Sequence, residues 1–201
     1  MNEGTVWCGI DPGTRNVGVA FLTRDHLGVW SPWIIESLSF KTEQSLDERL
    51  AIIHRAINPK PDDLPEGTMW IQYVVEEQEQ ARNAAHALGD TNFRADRVER
   101  VMGMIWTVAH TNAYSAARLT EVTPAEIRKS LGFRSGATKQ QIAAIVKKLV
   151  PKLEKMPRPL TNHATDAVAI AIAGERIVKV RARLAETAEE RMHRAVREGR
   201  L

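Results

Sequence analysis

A chain of 201 residues, 43% hydrophobic and 26% charged, is long enough to bury one sizeable core and ordinary in composition for a globular domain. The single cysteine, Cys8, excludes an internal disulfide framework, and no apolar run reaches the length that spans a membrane. A formal net charge of +3 is too small to identify a polyanionic partner by itself, and the N-terminus has no basic-then-apolar leader, so a soluble intracellular protein is expected.

The first forty residues read as three strands. Residues 5–11 form the first, and Asn16–Leu22 the second after an Asp-Pro-Gly-Thr-Arg turn. Leu27–Leu38 form the third, and such short turns imply an antiparallel meander. Leu46, Leu50, Ile53 and Ile57 recur at helical spacing over Gln44–Ile57, and Pro59 and Pro61 end that helix. A fourth strand covers 69–76. A long helical region follows over Ala81–Thr111, with a break at Gly89-Asp90-Thr91, and then a short fifth strand over Arg118–Val122. Thr123-Pro124 starts a small helix, with threonine as N-cap and proline at the first helical position. A glycine loop at 132–136 leads to a helix over Thr138–Leu149, and a last helix begins near Asn162 and runs toward the end of the chain. The order predicts an α/β fold: a mixed five-stranded sheet flanked by helices.

Charge is distributed unevenly along this plan. Nine basic residues lie between Glu126 and Arg158 against two acids, and the tail from Glu175 carries eight basic residues against five glutamates. A basic C-terminal half beside an acidic pocket suits a polyanion held while metal ions act on it.

Three segments carry the chemistry. In Gly9-Ile10-Asp11-Pro12-Gly13-Thr14, an aspartate ends an apolar strand and a tight turn leaves its carboxylate over the sheet edge. In Val74-Val75-Glu76-Glu77-Gln78, alternation sends Glu76 and Glu77 to opposite faces, so only one of them serves a shared pocket. A carboxylate at the end of an apolar strand calls for a metal or another cation nearby. In Asn162-His163-Ala164-Thr165-Asp166, His163 and Asp166 lie three apart and face the same way on an alanine-rich helix. Three acids and a histidine in one pocket form an oxygen-rich set suited to a hard divalent cation. The Asp-Pro-Gly-Thr turn is also similar to the first phosphate loop of actin-like kinases. The chain lacks their second phosphate loop and their adenosine motif, and is too short for their duplicated domain.

Taken in this order, the segments from Gly9 to about Ala173 resemble the RuvC family of Holliday junction resolvases, within the RNase H-like superfamily. The resemblance implies that Asp11, Glu76, His163 and Asp166 are both catalytic and metal-binding, with Glu76 chosen over Glu77. It implies two Mg²⁺ ions per site, replaceable by Mn²⁺. Arg128 and Lys139, with Lys129 and Arg134, are the expected DNA contacts. Residues 1–175 would form the nuclease domain and 176–201 a basic helical extension. The expected partners are branched DNA and a second copy of the chain, with Val101, Met102, Met104, Ile105 and Trp106 as either the dimer interface or core. Members with this pattern act in the cytoplasm of a bacterial or phage-infected cell. Two departures stand out. Glu79 occupies a position where many bacterial members carry a stacking aromatic, and Asp90–Asp96 looks like an insertion containing Phe93. These leave a broader branch, fork or flap nuclease, or an inactive DNA-binding module, as the competing readings.

Overall fold

The computed structural model describes residues 4–13, 15–77, 94–134, 136–156 and 159–197. Thr14, Glu79, Phe93, the break at 89–91 and the start of the long helix lie outside the described residues. Five strands form one sheet in the order β3-β2-β1-β4-β5: β1 (Thr5–Asp11), β2 (Asn16–Arg24), β3 (Trp30–Ser39), β4 (Trp70–Glu76) and β5 (Ser115–Val122). The β1-β2-β3 meander is antiparallel, whereas β1-β4 and β4-β5 are parallel. This is the mixed sheet the sequence predicts.

Alternation along the central strands divides the core into two layers. Val6, Cys8 and Ile10 of β1, with Ile71, Tyr73 and Val75 of β4, pack on one face against Ile53 and Ile57 of α1 (Leu46–Ile57) and Val101 and Ile105 of α2 (Arg94–Thr111). Trp7 and Val74 face the opposite layer. There they meet α3 (Pro124–Ser130), α4 (Lys139–Leu149) and the long α5 (Asn162–Arg197). Cys8 is a buried core thiol, and burial pushes its pKa up, which disfavours the nucleophilic thiolate.

Three helix starts follow directly from the sequence. Ser45, Thr123 and Thr138 each accept a hydrogen bond from the third helical N–H, and Glu48, Glu126 and Gln141 reach back in capping boxes. Pro124 occupies the first turn of α3, where a missing N–H costs nothing. The third strand starts later than its apolar run suggests. Asp25 accepts from the Val29 N–H at 2.8 Å and Gly28 sits at φ +83°, so residues 25–29 are a turn and β3 begins at Trp30. In α2, Val101 and Ile105 are core and Met102 and Met104 pack against it, whereas Trp106 is 55% exposed and stacks on His110. No helix among the described residues is long and apolar enough to cross a membrane.

The contact that fixes the site is α5 lying on β1 and β2. It runs so close that a methyl built on Gly9 would overlap the Ala167 carbonyl, and one on Gly18 would overlap the carbonyl of His163. Backbone cannot yield as a flexible side chain can. Gly9→Ala should therefore lower the melting temperature by about 5 °C or more, or prevent folding, since overpacking costs about 1–3 kcal/mol even where side chains yield. A melt of Gly9→Ala within 2 °C of the native chain would show that the helix can lift without penalty.

Candidate active site

Asp11 and Glu76 reach the same place because of strand register. β1 and β4 run parallel with Ile10 opposite Val75, so the next residues, Asp11 and Glu76, end adjacent strands on the face that carries α5. The chain leaves β1 toward β2 on one side of the sheet, while β4 is flanked by β5 on the other. The carboxyl ends of strands at such a switch point open a crevice rather than a covered layer.

The helix supplies the other two groups. Thr161 accepts from the Ala164 N–H at 3.2 Å and so starts α5 beside the sheet. His163 and Asp166 then lie nearly one turn apart over the strand ends. Asp11, Glu76, His163 and Asp166 all line one cavity of about 410 Å³. Ile127, Arg128 and Lys139 complete its rim from α3 and α4.

The electrostatics of the cavity are dominated by its acids. Burial raises the pKa of Asp11, and the neighbouring Asp166 raises it further. The bond from Asp11 Oδ2 to His163 Nδ1, at 2.7 Å, and the charges of His163 and Lys139 only partly offset this. Glu76 is pushed up to about 7 by burial first, and then by Asp11 and Asp166, against weaker opposition from Lys139 and Arg128. Lys139 Nζ stands 3.5 Å from Asp166 Oδ2, a long contact from a mostly exposed ammonium. The cations at the rim therefore do not neutralise the three carboxylates.

Such a set fits a divalent metal by its chemistry: hard oxygen donors, one imidazole, and excess negative charge. The side chains are not closed around one point. Among the described residues, no three His, Cys, Asp or Glu side chains stand close enough together to hold an ion as they are.

The residues expected from the sequence divide into two groups. Asp11, Glu76, His163, Asp166, Arg128 and Lys139 share the cavity, whereas Lys129 and Arg134 are exposed and outside its lining. The link between Lys139 and Asp166 is not visible in the sequence, because the two lie far apart along the chain. A second unpredicted feature braces α5. Glu175, 4% exposed, takes both Arg24 Nη1 contacts (2.9 and 2.7 Å) and Lys179 Nζ at 2.6 Å, tying the helix to the end of β2. An acid on an otherwise apolar helical stretch was the available signal.

Comparison with known proteins gives a consistent result. The sequence profile described as "Crossover junction endodeoxyribonuclease RuvC" matches residues 7–174. The RuvC of Campylobacter hominis is 30% identical over 165 residues, covering 82% of this chain and 91% of that protein. The RuvC of Moorella thermoacetica is 29% identical, covering 82% of this chain and 87% of that protein. Among solved structures, "T. thermophilus RuvC in complex with Holliday junction substrate" superposes with a TM-score of 0.65 at 19% identity. It covers 87% of this chain and 96% of that one, and at that identity the likeness establishes the fold.

The raised Glu76 pKa has a consequence for stability. In the unfolded chain the carboxyl ionises near 4.5, whereas in the fold it holds its proton to about 7. Over that window rising pH removes a proton from the unfolded state first, so stability is lost between about 4.5 and 7 and stays lost above. In metal-free buffer, Glu76→Gln should be more stable than the native chain at pH 8, by about 1–3 kcal/mol after allowance for partial exposure. The advantage should shrink toward pH 4.5. Thermal melts at the two pH values check this, and an equal or lower melting temperature for Glu76→Gln at pH 8 would contradict it.

Proposed function

The chain belongs to the RuvC family and is a crossover junction endodeoxyribonuclease, and from that premise we propose that it resolves four-way DNA junctions by paired, symmetric metal-dependent nicks. The observation that carries the reading is the single cavity in which Asp11, Glu76, His163 and Asp166 meet beside Arg128 and Lys139. In this reading the nuclease unit is residues 1–175, and 176–201 form a basic helical extension.

Asp11, Glu76, Asp166 and His163 would hold Mg²⁺, with Mn²⁺ as a substitute. Such ions, when bound, generate hydroxide from water near neutral pH and offset the negative charge on a departing 3′ oxygen. The rest of the work falls to this chain's own groups. His163 holds the Asp11 carboxylate in one orientation through its 2.7 Å contact, and its ring can take up a proton at the other nitrogen. Lys139 and Arg128, at the rim, offer cations to the phosphate on either side of the cut. The apolar wall from Ile127, Ile142 and Ile170 limits water on the side away from the strand ends. The products are a 5′-phosphate and a 3′-hydroxyl. A second copy of the chain supplies the second cut, since a two-fold substrate matches a two-fold dimer.

Two measurements test this. With Mg²⁺ and labelled four-way junction, Y-fork and linear duplex, the native chain should place paired nicks at the junction. Asp11→Asn should fold normally and lose at least about 10³-fold in rate. Undiminished cutting by Asp11→Asn would refute the assignment of the site, and equal cutting of forks would make the enzyme a general branch nuclease. In sedimentation at micromolar concentration the chain should run as a dimer. A monomer there that still cuts both strands in one encounter would remove the paired-site reading.

A further inference from the structure

The family profile ends at residue 174, yet α5 continues without a break to Arg197. That continuation is a rod of roughly 35 Å at about 1.5 Å per residue, comparable with about ten base pairs of duplex. Its surface is not uniform. Turning about 100° per residue, Arg176, Lys179, Arg183 and Arg197 fall on one narrow arc of the helix. All four are exposed, Lys179 while also bonded to Glu175 at 2.6 Å. Glu190 is the acid among the described residues on the same arc.

This arc begins beside α3, the helix that borders the catalytic cavity. The Arg176 guanidinium donates to the Ser130 carbonyl at the end of α3, two residues beyond Arg128 in the cavity lining. Lys129 and Arg134, exposed but outside the cavity, flank that junction in sequence. Cations therefore run from Lys139 and Arg128 at the cavity, past the end of α3, and along the rod. A different arc of the rod carries exposed Val180, Leu184, Met192 and Val196. That stripe would suit an apolar partner and offers no charge to a phosphate.

We propose that the basic arc of α5 beyond Gly174 is a second DNA-contact surface, gripping the phosphates of a duplex arm as it leaves the catalytic cavity. The proposal rests on the nuclease reading, and charge complementarity with the substrate is what favours duplex over a second copy of the chain. Phosphate contacts of this kind add affinity and salt dependence without reading sequence.

The test compares the native chain with the double variant Arg183→Ala, Arg197→Ala, using four-way junctions with arms of about 10 and about 25 base pairs in Ca²⁺. Neither residue touches the cavity. The slope of log affinity against log salt should fall by about 2 in the variant, since each phosphate contact contributes about 0.9. The native chain should bind the long-armed junction more tightly than the short-armed one, and the variant should lose that gain. Cleavage of the short-armed junction in Mg²⁺ should stay within about twofold. An unchanged slope and an unchanged gain, with cleavage intact, would overturn the proposal and leave the nuclease reading standing. If Leu184→Glu with Met192→Glu splits a dimer while the arginine variant keeps its slope, the rod belongs to a second copy and the proposal falls. If the native chain neither binds nor cuts any DNA, the nuclease reading falls and this proposal with it.

Discussion

Everything at the cavity depends on how closely α5 can lie against β1 and β2. Gly9 and Gly18 remove the Cβ atoms that would meet the carbonyls of Ala167 and His163. The face of the helix that lands on them is built from Ala164, Ala167, Val168 and Ala171. With small residues on both sides, the helix axis approaches far enough for His163 to touch Asp11 at 2.7 Å. A helix held off by one more layer of side chains would leave the sheet acids and the helix acids in separate pockets. The glycines are therefore functional in effect without touching any reacting group.

That approach places like charges together, and the fold resists it elsewhere. Asp11 and Glu76 end neighbouring parallel strands, and Asp166 stands over them. Each keeps its proton more readily than a free carboxyl when the balance of burial and neighbouring charge is struck for Asp11 and Glu76. The repulsion tends to push α5 away from the strand ends. At its other end the helix is held down by Glu175, whose carboxylate is gripped by Arg24 and Lys179. Buried among these cations, Glu175 fixes the register of helix on sheet, a role in which a paired buried charge contributes specificity more than net stability. Glu175 and Asp166 lie on one helix, so the brace at the first offsets the repulsion that the second meets over the strand ends.

The parts of this arrangement that were legible in the sequence are those governed by local periodicity. Alternation in β1 and β4 placed Asp11 and Glu76 on one face, and the three-residue spacing placed His163 beside Asp166. The capping residue Thr123 announced its helix, whereas Thr138, read as the first helical residue, is itself a cap. What was not legible depends on tertiary partners. Leu27 and Val29 read as strand but lie in a turn fixed by the Asp25 side chain and Gly28. Val101 and Ile105 read as either interface or core, with core the favoured reading, and their packing on the sheet decides for core. Arg24 and Glu175 pair across most of the chain, and Lys139 and Asp166 across 27 residues, and a single sequence carries no trace of such pairing.

The polarity of α5 separates two tasks that would interfere if they shared one surface. Its N-terminal turns stand over the acid cavity, where the positive end of the helix dipole favours carboxylates and bound anions. Its C-terminal turns carry arginines and lysine outward. A metal site needs uncancelled negative charge, and Lys139 is already the nearest cation to Asp166 at 3.5 Å. More basic side chains at the cavity would draw in substrate phosphate but weaken the site for divalent ions. The cations of the rod begin ten residues beyond Asp166, about 15 Å along the helix, and so lie beyond a Debye length of about 10 Å from that acid. At that distance they would act on a DNA arm without lowering the charge of the cavity.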